Sequence, residues 1–76
     1  MLTPVERALL NNCVANHGRY SIHGLPLAGM VDAVRLVLGM EAAGLVNSKV
    51  HYLPGSEPDL IVIEITDAGR RALAEE

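Results

Sequence analysis

An α+β fold of three helices and a two-stranded β-hairpin is what this 76-residue chain predicts. Three observations carry the prediction. LTPVERALLNNCVANHG opens with a helix start signal, and MVDAVRLVLGMEAAG is a long apolar run of helical period that stops at a glycine. Two runs rich in branched residues then flank PGSEPD, and the second turns straight into a closing helix in IEITDAGRRALAEE.

In the first helix Thr3 is the expected N-cap, Pro4 sits at the first helical position, and Glu6 completes a capping box. Val5, Ala8, Leu9 and Cys13 fall on one face, with Gly18 as the stop. In GRYSIHGLPLAGM, Arg19 to Ile22 reads as a short extended piece. Gly24, Pro26 and Gly29 argue against a long regular helix before Met30 and leave room for one turn at most. Met30 to Ala43 is the second helix, and Gly44 suits the left-handed conformation that ends it. Leu45 to Leu53 is a strand, PGSEPD a turn and Leu60 to Ile65 the returning strand. Thr66 then offers a hydroxyl to cap a last helix whose first turn carries Asp67. Residues 1–76 make one domain, with Leu9, Val34, Leu38, Val46, Ile63 and Leu73 expected in its core.

Composition narrows the function. Half the residues are apolar, yet Tyr20 and Tyr52 are the only aromatics, so the core is aliphatic. The net charge of -3 and a pI near 5.5 give no global attraction to phosphate or anionic lipid. Cys13 is alone, which excludes an intrachain disulfide and fits a reducing cytoplasm. The start lacks a basic region followed by a long apolar run, and no stretch reaches membrane-spanning length. A soluble, unexported protein without a membrane partner is expected. A domain this short often gains from a partner subunit.

MEAAGLV, closing a helix into a strand, and EITDAGRRAL, closing the hairpin into a helix, together resemble the winged helix-turn-helix family of transcription regulators. The resemblance covers most of the chain. It implies a winged-helix-like fold with duplex DNA as partner, the Met30 to Ala43 helix in the place of the recognition helix, and Leu53 to Asp59 at the wing tip. SIHGLPLAG departs from the pattern, because the family usually has a regular helix there.

The residues themselves supply little for base reading. On a wheel of about 100° per residue, Met30, Val31, Ala33, Val34, Val37, Leu38, Met40 and Ala42 form a broad apolar arc. The remaining stripe holds Asp32, Arg35, Leu36, Gly39 and Ala43, of which only Arg35 suits a base edge. The wing carries Glu57 and Asp59 where a DNA-binding wing carries cations. Arg19, Arg35, Lys49, Arg70 and Arg71 are the candidate nucleic-acid contacts, and ordinary solvated charges are the alternative reading. Leu36, Gly39 and Ala43 are a candidate interface for a two-fold dimer, because small residues let helices approach closely. The alternative is that this stripe is covered within the monomer.

Catalysis and ligand chemistry find no foothold. His17, His23 and His51 have no metal-ligand spacing, and GLPLAGM lacks the Lys-Ser/Thr pair of a phosphate loop. Cys13 and His17 stand four apart, a spacing that suits an activated thiol in principle but fits a small core residue beside a helix-terminal histidine better. No catalytic residue, cofactor, metal or small-molecule ligand is expected. Two functions remain: a small non-enzymatic DNA-binding regulator, and a winged-helix module that binds protein, either its own copy or a larger partner.

Overall fold

The computed structural model describes residues 1–75, arranged as α1 (Pro4–Ala15), β1 (Arg19–His23), α2 (Leu27–Ala42), β2 (Val46–Leu53), β3 (Glu57–Ile65) and α3 (Asp67–Glu75). The α+β class and the three helices hold, but the sheet has three antiparallel strands in the order β1-β3-β2 rather than a two-stranded hairpin alone. β1 runs along β3 from Arg19 opposite Glu64 to His23 opposite Leu60. The short extended piece is thus a full partner of the hairpin.

α1 begins as its sequence requires. The Thr3 hydroxyl accepts from the Glu6 N–H at 3.2 Å, while the Glu6 carboxylate accepts from the Thr3 N–H at 2.8 Å. Its inward face differs from expectation: Leu10 and Cys13 are buried with Leu2, whereas Val5 is 57% exposed and Ala8 is also open. Two overlapping apolar stripes at helical spacing exist here, and the contacts of α1 with β1, β3 and α3 select the second.

α2 is one continuous helix from Leu27, three residues earlier than expected, and only Gly24, Leu25 and Pro26 separate it from β1. No helix stands between β1 and α2, where the resemblance implies one. Pro26 stands at the N-cap and starts the helix instead of breaking it. Gly29 is carried inside it, at a propensity cost of about 1 kcal/mol. The far end closes on Gly44 at φ +79°, with the Leu45 N–H donating to the Met40 carbonyl and the Gly44 N–H to the Glu41 carbonyl. This pair of bonds is a Schellman motif.

β2 and β3 meet across Pro54, Gly55 and Ser56, and β3 starts at Glu57, ahead of the expected Leu60. Pro58 sits opposite Tyr52, where the register shifts. The bulge accommodates a residue with no N–H to give the ladder.

Tyr20, Ile22, Val46, Val50, Ile61, Ile63 and Ile65 point to one face of the sheet, over which α1 and α2 pack. The opposite face carries Arg19, Ser21, His23, Asn47, Lys49, His51, Leu60, Val62 and Glu64. Of the six expected core residues, Val46 and Ile63 are fully buried and Leu9, Val34 and Leu73 pack against the core. Leu38 does not belong there. It is 51% exposed, because Val37 and Met40 take the inward line of α2 and Leu38 lies 100° beyond Val37.

The closing junction is tightly built. Thr66 Oγ1 accepts from the Gly69 N–H at 3.0 Å as N-cap of α3 and donates to the Gly44 carbonyl at 2.6 Å. The Thr66 N–H donates to the Leu45 carbonyl at 3.0 Å. Gly69 is buried, and a Cβ there would strike the Leu45 carbonyl oxygen.

Candidate interaction surfaces

The five candidate cations do not form one surface. Arg19 and Lys49 share the open face of the sheet and, with Asn47, Ser48, Val62 and Glu64, line a shallow depression of about 290 Å³. Arg19 is already engaged there, its Nε 3.0 Å from Glu64 Oε2 with both side chains largely solvated. Such a pair contributes little to stability and halves the charge available to a phosphate. Arg35 projects from the solvent side of α2, across the sheet from Lys49. Arg70 lies near Gly18, its guanidinium 3.2 Å from where a Cβ of residue 18 would stand, and Arg71 follows it on α3. Glu57 and Asp59 are exposed on the hairpin.

The stripe proposed for dimerisation is divided too. Gly39 and Ala43 face solvent, and a Cβ on Gly39 would meet nothing within 4 Å. Leu36 instead turns toward α1. It lines a groove of about 390 Å³ with Val5, Leu9, Tyr20, Ile22 and Leu25, and no Asp, Glu, Lys or Arg lines this groove.

Two apolar features went unnoticed in the sequence. Leu27, Val31 and Leu38 are 52%, 40% and 51% exposed along α2, with half-buried Val34 completing a 4-3-4 spacing. That spacing is the signal that was available, masked by an apolar arc wide enough to read as core throughout. The second feature is the uncharged groove, whose lining comes from α1, β1, Leu25 and α2 and therefore has no local signature.

Cys13 is fully buried, and burial pushes its thiol above the ordinary range, an effect the Arg70 charge partly offsets. α1 ends at Ala15 and His17 takes a positive φ of 62°, so the residue four beyond Cys13 leaves the helical path. On the open sheet face His23 and His51 flank Leu60 from opposite sides. Among the described residues no three His, Cys, Asp or Glu side chains gather as a metal site, and no helix is long and apolar enough to cross a membrane. No protein-family model matches the chain, and no curated protein or solved structure matches it significantly.

Proposed function

We propose that this is a small non-enzymatic module that binds protein, and that the solvent side of α2 is its binding face. The observation that carries the reading is the exposed line of Leu27, Val31 and Leu38. Apolar side chains at this spacing are how an amphipathic helix engages a hydrophobic surface. Gly39 beside them leaves the backbone open to close approach. A partner complementary to this face presents an apolar helix or groove.

DNA-binding regulation through a winged-helix-like domain is the second reading. Its support is the resemblance of the two junctions, together with Arg19 and Lys49 on one open face. Against it stand the Glu64 ion pair and the acidic hairpin.

The two readings separate in one set of measurements. Chemical cross-linking in the producing cell is compared for the wild type, Val31→Glu with Leu38→Glu, and Arg19→Ala with Lys49→Ala. A mobility-shift assay with random duplex DNA at low salt is run beside it. Protein cross-links lost only in the α2 variant, with no DNA retardation, are the expected result. A salt-sensitive DNA shift that depends on Arg19 and Lys49 and ignores the α2 substitutions would overturn the protein-binding reading.

A further inference from the structure

β1 and β2 are the two edges of the sheet, and β1 leaves the longer uncapped run of backbone groups. The Ile65 N–H donates to the Gly18 carbonyl at 2.9 Å. In an antiparallel ladder bonded pairs alternate, so Tyr20 and Ile22 bond to β3 while Arg19, Ser21 and His23 direct N–H and C=O outward. Arg19 is satisfied locally: its N–H donates to the Asn16 carbonyl at 3.3 Å and its carbonyl accepts from Asn16 Nδ2 at 2.8 Å. The open run is therefore Ser21 and His23, with four unpaired backbone groups. On β2 the same alternation turns Val46, Ser48 and Val50 outward, and Glu41 Oε2 accepts the Ser48 N–H at 3.2 Å, so one of that edge's donors is occupied while Val50 remains open.

We propose that two copies of this chain join through β1 in a two-fold antiparallel pair centred on Ile22, making one six-stranded sheet. Centring on Ile22 places Ser21 opposite His23 of the second copy, and the reverse, so four N–H···O=C bonds consume all the open groups of both strands. The Asn16 bonds to Arg19 stay intact. A register centred on Ser21 would instead set Arg19, already satisfied by Asn16, against His23.

Side chains agree with that register. Ile22 meets Ile22 on the helix side of the sheet, and Tyr20 falls opposite Gly24, where nothing lies within 4 Å of the absent Cβ. The two-fold axis stands perpendicular to the sheet, so both copies carry their helices on the same side. The uncharged groove beside β1, with Val5 and Leu25 at 57% and 47% exposure, then faces its own copy across the axis. The occupant is a second copy because the open run is self-matching: each bond made by Ser21 is repeated by symmetry. The face involved is not the Leu27–Val31–Leu38 line, so this inference stands or falls separately from the α2 reading.

Sedimentation equilibrium across the micromolar range tests it with three variants. Ser21→Pro removes the outward N–H without touching a β3 bond, since proline is tolerated where the N–H faces away from the sheet. Leu25→Glu puts a charge into the groove at a position outside the core. Val31→Glu serves as control. The expected result is a wild-type dimer, a dissociation constant raised roughly tenfold or more in the first two variants, unchanged circular dichroism, and Val31→Glu dimerising as the wild type does. Slow amide exchange at Ser21 and His23 accompanies dimer formation. If Ser21→Pro fails to fold, Leu25→Glu decides alone. A wild-type monomer throughout the range, a dimer indifferent to Leu25→Glu, or one broken by Val31→Glu would overturn the proposal.

Discussion

Gly69→Ala exchanges the worse helix former for the best, and at an open helical site the change should stabilise by about 1 kcal/mol. Here the sign reverses. The new Cβ would meet the Leu45 carbonyl oxygen well inside contact distance and Ile65 Cγ1 at 2.8 Å. Ile65 is buried, and the Leu45 carbonyl is fixed by the Thr66 N–H. Relief therefore requires α3 to move off the start of β2, stretching the 3.0 Å bond from Gly69 N–H to Thr66 Oγ1. Overpacking of this kind costs roughly 1–3 kcal/mol, and a weakened cap costs up to about 1 kcal/mol. After the helix gain is subtracted, a loss of up to about 3 kcal/mol remains, which in a domain this small lowers Tm by up to roughly 20 °C. Urea and thermal unfolding followed by circular dichroism measure it. Gly39→Ala is the internal control: with nothing within 4 Å of its Cβ, it should raise stability by up to about 1 kcal/mol. A Gly69→Ala protein as stable as wild type, or more so, would refute the close packing of α3 on Leu45.

Leu38→Ala should change stability by less than about 0.5 kcal/mol, whereas Met40→Ala two positions on should lose about 2–5 kcal/mol, both read from urea midpoints. Cys13 should react with thiol reagents only as fast as the domain opens. Because burial raises its folded-state pKa, the contribution to stability is complete below the unfolded thiol value of roughly 8.5 and declines as pH climbs from there through the folded value. Cys13→Ala should flatten that alkaline decline in a pH series of unfolding curves.

Local chemistry was legible in the sequence and nonlocal choice was not. The capping box at Thr3 and Glu6, the Gly44 stop and the Thr66 cap each involve residues within a few positions, so residue type alone locates them. The face of α1 and the burial of Leu38 depend on which neighbour a helix meets, and an apolar arc around most of α2 offers several equivalent answers. Pro26 and Gly29 read as breakers because their cost is local, while packing against β2 and β3 supplies the compensation. The scatter of the cations has the same origin. Arg19 points away from α2 because β1 joins β3, a pairing across about forty residues that no periodicity announces, while Lys49 does so through the register of β2 on β3.

Glu41 reaches from α2 to β2, where its carboxylate accepts both the backbone N–H and, at 2.6 Å, the hydroxyl of Ser48. A subunit with two available strand edges is a link in a chain, because each addition leaves a fresh edge for the next. The Glu41 carboxylate holds the Ser48 N–H, so a strand arriving at β2 has to displace it before it can pair fully there. One side chain on α2 thus disfavours growth at β2 without closing that edge.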